Sequence, residues 1–304
     1  MSRSRLHLFL LCALPLLLLA CNSTAAPVGP PVVISSKSFT ESYLLAEMYA
    51  QLLEANGIPV ERQLEETQTR ELHALMRGGL IDMYPEYTST ALLAILQEPP
   101  LQGEQTVYER VKRQYEQQFD IIWLERAPFN NTWALATTSE MASHHQLRTI
   151  TDLASTAEQL KVGGDESFYD RQDGILGLEG IYGPMHFAQR VIVSEDERYS
   201  VLLSGEVDVI PAYGTDGQIA GHHLVLLEDD KAFWPPYNVA PIVRREIIER
   251  YPAIPSILNP LAPLLTQEAM TALNWQVDGP EERPYQDVAR TFLIEHKLLP
   301  SSQP

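Results

Sequence analysis

The chain has 304 residues, 45% of them apolar and 8% aromatic, which suits a globular protein able to bury a sizeable core. Its formal charge of −18 repels nucleic acid and anionic lipid headgroups and modestly favours cationic ligands, although solubility alone also accounts for it. With only two cysteines, it is excluded from the disulfide-framed class.

Arg3 and Arg5 precede an apolar run from Leu8 to Leu19, and the run closes as Leu18-Leu19-Ala20-Cys21. This reads as a secretory signal over residues 1–20, not a membrane span. The Leu-Leu-Ala-Cys ending resembles a bacterial lipobox, which implies a lipid on Cys21; the alternative is an ordinary signal with an incidental cysteine. Residues 21–31, rich in Ser, Thr, Ala, Gly and Pro, read as a lipidated, flexible tether. Losing Arg3 and Arg5 with the signal takes the charge from −18 to −20. No later apolar run approaches the roughly 20 residues of a membrane helix.

Val32 to Ser35 reads as a short buried strand. Leu44, Leu45, Met48, Leu52 and Leu53 recur at helical spacing until Asn56-Gly57 stops the helix. A strand near 58–64, a helix near 69–77 and a strand at 80–83 follow. Pro85 is expected to break that strand, leaving Tyr87 and the hydroxyls of Thr88 and Thr90 in a loop at its carboxyl end, where open α/β sheets place ligands. A tyrosine there equally caps a core. A helix near 106–118, a strand at 121–124 and the break Ala127-Pro128-Phe129-Asn130-Asn131 precede a strand at 132–136.

A second unit of like design runs through a helix near 150–157, a strand at 160–162, and strands at 188–193 and 207–212 flanking a helix near 196–204. The strand 224–227 leads to Phe233-Trp234-Pro235-Pro236-Tyr237-Asn238, read as a return crossing. From Ala240 onward helical spacing recurs around Ile247, at Met270 to Leu273 and at Val288 to Leu298, and this part should complete the first lobe. The expectation is an α/β protein of two lobes, residues 32–131 plus 238–304 and residues 132–237, each a mostly parallel sheet covered by helices. A hinge with an interlobe cleft follows from two crossings. The alternative is one continuous α/β domain.

Four strand ends or crossings carry an aromatic residue: Tyr87, Trp133, Tyr213 and Tyr237. Facing rings present negative π faces to a quaternary ammonium ion, each contributing roughly 0.5–2 kcal/mol when desolvated. Micromolar binding needs about 8 kcal/mol, so an anion-binding end fits as well. Lys37 and Arg171 are candidates for it, with Thr90 as a further donor. Taken singly, Lys37 also reads as a solvated lysine and Arg171 as a partner of Asp170 or Asp173.

The chain resembles the substrate-binding proteins of osmoprotectant ABC importers, which take glycine betaine, choline, carnitine and related compounds. The matching phrases are Ser36-Lys37-Ser38-Phe39-Thr40-Glu41, Asp82-Met83-Tyr84-Pro85-Glu86-Tyr87-Thr88-Ser89-Thr90, Arg171-Gln172-Asp173-Gly174, Asp208 to Asp216, and Leu227 to Lys231 with Pro235-Pro236-Tyr237-Asn238. The resemblance implies a type II periplasmic-binding-protein fold that closes on ligand. It implies a cage of Tyr87, Trp133, Tyr213 and Tyr237, with Lys37, Thr90 and Arg171 on a carboxylate. Three departures stand out: Glu66-Thr67-Gln68-Thr69 in place of a Gly-Gly-Thr turn, Asn131 at an acidic position, and Ser167 at a glutamate.

An enzyme is the rival class, but no nucleophile is placed beside a base. His144-His145 and His222-His223 are adjacent pairs without a third ligand spaced for zinc, so neither metal nor cofactor is expected. No Walker-type loop occurs, so transport would require a permease and an ATPase as partners. The expectation is therefore a monomeric, lipid-anchored extracytoplasmic protein that binds a quaternary ammonium solute for import. A receptor presenting ligand to a sensor is a further alternative, as is the same fold serving another zwitterionic or cationic solute such as ergothioneine, proline betaine or an amino acid.

Overall fold

The computed structural model describes residues 29–64 and 68–301. The expected signal, Cys21, most of the tether, and Glu66-Thr67 lie outside the described residues. Among the described residues no helix is long and apolar enough to cross a membrane.

Among the described residues ten strands make two five-stranded sheets. The first has the order β2 (Val60–Gln63), β1 (Val32–Ser35), β3 (Met83–Tyr87), β10 (Val239–Arg244), β4 (Ile121–Trp123). The second has the order β7 (Gln189–Ile192), β6 (Lys161–Gly164), β8 (Val209–Tyr213), β5 (Trp133–Thr137), β9 (Val225–Leu227). The two orders are the same pattern. In each sheet the fourth strand is the one the chain enters directly after a crossing, and it runs antiparallel to both neighbours. The remaining strands are parallel, so their carboxyl ends share one edge of each sheet.

Side-chain alternation fills both faces. Val32, Ile34 and Met83 pack against the helices Thr40–Ala55, Gln267–Asp278 and Tyr285–Glu295, through Leu44, Met48, Leu273, Val288 and Leu293. Tyr84 and Ile242 point the other way, into Leu72, Met76, Val107, Val111 and Tyr115 of the helices Thr69–Arg77 and Glu104–Phe119. In the second sheet Leu135 and Val209 join Ile150, Leu153, Ile175 and Leu178, while Ala136 and Ile210 join Leu202 and Ile219. Each lobe is thus a helix–sheet–helix sandwich with its own core.

Several expectations need correcting. Pro85 does not end its strand: β3 continues through Pro85 to Tyr87. Pro85 lies opposite Pro241 of β10, and β3 meets β1 only at Met83, so no ladder bond is lost for want of its N–H. Residues 80–82, expected in the strand, precede it, and Thr88–Thr90 form a helical turn, not a loop. The helical spacing after Ala240 falls in the helices Arg245–Arg250, Gln267–Asp278 and Tyr285–Glu295, but the central strand Val239–Arg244 ahead of them was not expected. Its buried Val-Ala-Pro-Ile-Val run is short enough for a strand, and Pro241 disguised it.

The two crossings lie side by side. Asn238, fully buried, donates its amide to the carbonyl of Phe129 at 2.8 Å, and the N–H of Ala127 donates to Val239 O at 2.8 Å. The N–H of Tyr237 donates to Asn130 Oδ1 at 2.7 Å, and Thr132 Oγ1 donates to Pro235 O at 3.0 Å. A third contact between lobes comes from the helix Gln267–Asp278. Gln267 Nε2 donates to Gly214 O at 2.5 Å, and Asn274 Nδ2 to Thr215 O at 2.8 Å. Trp275 lies directly on Gly217 and Gly221 of the helix Gly217–Gly221, where a Cβ at Gly217 would sit 2.6 Å from the Trp275 nitrogen and one at Gly221 would overlap the indole ring.

That contact gives a paired expectation. Gly221→Ala should destabilise by about 1–3 kcal/mol through overpacking, read as a lower urea midpoint. Gly180→Ala, in the helix Ile175–Tyr182 with no atom within 4 Å of the new methyl, should be neutral or stabilising by up to about 1 kcal/mol. Equal effects at the two positions would contradict the packing.

Candidate functional site

A cleft of about 490 Å³ opens between the lobes, lined by Lys37, Ser38, Phe39, Gln68, Thr69, Tyr87, Thr90, Asn131, Trp133, Tyr213, Asp216 and Tyr237. All four aromatic candidates line it, together with Lys37, Thr90 and Asn131. They arrive there because of where their strands end. Tyr87 is the last residue of β3, Tyr213 the last of β8, Trp133 the first of the antiparallel β5, and Tyr237 sits just ahead of β10. Trp133 and Tyr213 are directly opposite in register, and their ring centroids are 4.9 Å apart at a 44° tilt.

Hydrogen bonds hold these rings from behind. Thr88 Oγ1 and Ser89 Oγ both donate to Pro236 O, at 2.9 and 2.7 Å, tying the turn after Tyr87 to the residue before Tyr237. The Tyr87 hydroxyl donates to Glu41 Oε1 at 2.5 Å. Glu41 lies in the first turn of the helix Thr40–Ala55, a favourable place for a carboxylate. It also accepts from Asn131 Nδ2 at 3.1 Å and Asn274 Nδ2 at 3.2 Å. One buried carboxylate therefore joins a cleft ring, a crossing and the helix Gln267–Asp278. Burial pushes the Glu41 carboxyl above its ordinary value, against the opposing pull of donors from Thr215, Tyr87, Asn274 and Asn131. Burial likewise raises the Tyr213 and Tyr237 phenols, so both rings are neutral at physiological pH.

The cationic candidates are placed differently from one another. Lys37 is buried and paired with Glu86, with its ammonium 5.0 Å from the Tyr87 ring centroid. Its charge is thus balanced, and it covers one face of Tyr87. Arg171 is not in this cleft. It is exposed and bonded to Asp173, with Nε donating to Oδ1 at 2.7 Å, and it lines a separate chamber of about 230 Å³. That chamber also includes Trp133, Tyr213, Asp165, Ser167 and Arg198, so the two cavities share the Trp133–Tyr213 pair.

Gln68 and Thr69, singled out as a departure in the sequence, line the cleft, whereas sequence reasoning missed Phe39, Glu41 and Asp216 as parts of the site. Phe39 had a signal: it is the residue before the helix Thr40–Ala55, a position that favours Ser, Thr, Asn or Asp, yet it carries a ring that is 38% exposed and 5.9 Å from Tyr87. Glu41 had none, because its partners Tyr87, Asn131 and Asn274 lie far away in the chain. Asn131 gains a feature beyond its spacing: its Oδ1 is buried with no hydrogen-bond partner among the described residues.

Two sheets of this order, joined by paired crossings around an aromatic cleft, define a two-lobed substrate-binding protein of the type II periplasmic fold. Residues 30–295 match the family model described as the substrate binding domain of ABC-type glycine betaine transport system. The chain belongs to that family, an extracytoplasmic solute-binding group. It is 34% identical to a glycine-betaine-binding protein of Pseudomonas aeruginosa, over 89% of each chain. It is 33% identical to an ergothioneine transport permease/ergothioneine binding protein of Helicobacter pylori, over 94% of this chain but only 51% of that relative. The chain thus spans about half the length of the Helicobacter protein. Among solved structures, a glycine betaine/carnitine/choline ABC transporter protein superposes with a TM-score of 0.84 at 28% identity, covering 88% of this chain and 99% of that one. Apo YehZ from Escherichia coli superposes at 0.81 with 27% identity, covering 89% and 100%.

Glu41 gives a pH test. Its raised value means the folded state holds the proton more tightly than the unfolded chain, so this stabilising contribution is present below the ordinary value of 4.5 and is lost as pH rises through the folded value. Glu41→Gln removes the titration. The difference in unfolding free energy between wild type and variant should shrink, or turn against the wild type, as pH rises from 4.5 to 8. A difference that stays constant across that range would contradict the burial argument.

Proposed function

We propose that the protein captures a quaternary ammonium solute such as glycine betaine or choline between its lobes and hands it to an ABC permease driven by its ATPase. The observation that carries this reading is the convergence of Tyr87, Trp133, Tyr213 and Tyr237 on one cleft, from strand ends in both sheets and from both crossings. A trimethylammonium head cannot donate hydrogen bonds, and π faces are the neutral groups that attract it. Phe39 adds a fifth ring. Asp216 adds a carboxylate to the cleft wall, paired with Arg198.

Closure of the hinge supplies the carboxylate end. Arg171 starts on the far side of the Trp133–Tyr213 pair, bonded to an exposed Asp173 that a ligand carboxylate can replace at little cost, since exposed pairs contribute about 1 kcal/mol or less. Lys37 and Thr90 contribute from the first lobe. Binding involves no bond making. The residues ahead of the fold hold it to a membrane through a lipid on Cys21, and it acts as a monomer.

A second reading is favoured by the Helicobacter relative: a betaine bearing a further polar group, such as ergothioneine, whose N–H donor suits the unpartnered Asn131 Oδ1. Calorimetric titration of both solutes separates the readings. Trp133→Ala and Tyr213→Ala should each weaken choline and glycine betaine by roughly threefold to thirtyfold. Arg171→Ala should weaken glycine betaine far more than choline. Equal losses for the two solutes in the arginine variant would refute its carboxylate role.

A further inference from the structure

Asp216 stands in the cleft wall with its two carboxylate oxygens in different company. Oδ2 accepts from Arg198 Nη2 at 2.8 Å, from the Tyr199 hydroxyl at 2.5 Å and from the N–H of Tyr213 at 3.0 Å. Oδ1 takes no hydrogen bond from the described residues, and Asp216 makes no side-chain cap to the helix it precedes. One oxygen is therefore committed to the protein and the other is free beside the cage rings.

Arg198 is 8% exposed, an unusual degree of burial for an arginine. Its guanidinium carbon lies 5.7 Å from the Tyr213 ring centroid and 5.2 Å from that of Tyr199, and Nη1 reaches Glu195 at 3.1 Å. Placed there, it supports the Tyr213 ring and sets a positive charge beside Asp216. A ligand cation in the cleft then meets a charge pair, whose attraction falls off faster than that of a bare carboxylate.

We propose that Arg198 is a specificity-determining residue: by balancing Asp216 it stops the cleft from favouring a bare cation over a zwitterion. This rests on the reading of the cleft as a quaternary ammonium site. A bare Asp216 attracts the head of choline and of glycine betaine alike, but it also repels the carboxylate that only the betaine carries. Removing Arg198 therefore helps the cation more than the zwitterion, and removing the Asp216 charge does the reverse. Arg198 touches no ligand in this scheme; it acts through Asp216 and Tyr213.

Titration calorimetry of choline and glycine betaine at neutral pH, on four proteins, tests it. Arg198→Met should raise the ratio of choline affinity to betaine affinity roughly tenfold, a size ordinary for one uncompensated charge at this range. Asp216→Asn should lower that ratio, and the double variant should return it to within about threefold of wild type. A purely structural arginine would weaken both solutes by a common factor, leave the ratio unmoved and show no rescue in the double variant, and that result would overturn the proposal. If Arg198→Met does not fold, Asp216→Asn decides alone: a fallen ratio supports the proposal and an unchanged one overturns it. A wild type that binds neither solute overturns the cage reading together with this inference, whereas binding of both with an unmoved ratio overturns this inference alone.

Discussion

The arrangement depends on two chain crossings held edge to edge. Asn130 and Asn238, one on each crossing, use their side chains to satisfy backbone groups of the other, and Asn238 is fully buried while doing so. Buried backbone groups must find partners, so this pairing fixes the path of both segments. It fixes Tyr237 and Trp133 as well, since each lies within three residues of a paired asparagine. The same crossings feed the antiparallel fourth strand of each sheet, which brings Trp133 against Tyr213 and sets Tyr87 beside β10. Fold and cage are therefore one construction.

Charge is managed by the same economy. The cleft region holds several ionised groups, yet most are tied: Lys37 to Glu86, Arg198 to Asp216 and Glu195, Arg171 to Asp173. Buried pairs of this kind are poor sources of stability, because desolvation offsets most of their attraction. Their value here lies in what they leave available. Tying Lys37 to Glu86 keeps a bare ammonium from repelling a cationic ligand, while Asp216 Oδ1 and Asn131 Oδ1 take no hydrogen bond from the described residues. The exposed Arg171 pair is the weakest of the set and the one suited to exchange.

Much of this was legible in the sequence, and the parts that were not share a cause. Helical spacing placed the helices at 40–55 and 69–77, and short apolar runs gave most strands to within two or three residues, because burial of a periodic face is a local property. The four rings stood out as aromatic residues in turn-like contexts. Pro85 and Pro241 misled because a proline's cost depends on whether the partner strand needs its N–H, which only the register decides. Glu41 stayed hidden for the same kind of reason: its partners Tyr87, Asn131 and Asn274 lie far along the chain. That Arg171 lines a separate chamber, bonded to Asp173, is a matter of tertiary packing that no spacing records.

The central claim is that positive charge on a methylated nitrogen, and not its shape or greasiness, is what the rings select. The direct measurement is calorimetric titration of the purified protein with choline and with its neutral tert-butyl isostere, which matches it in size and hydroxyl group but has carbon in place of nitrogen. Several desolvated π faces at roughly 0.5–2 kcal/mol each should make choline bind at least about tenfold more tightly than the isostere. Equal affinity for the two would show a hydrophobic pocket in place of a cation cage and contradict the account.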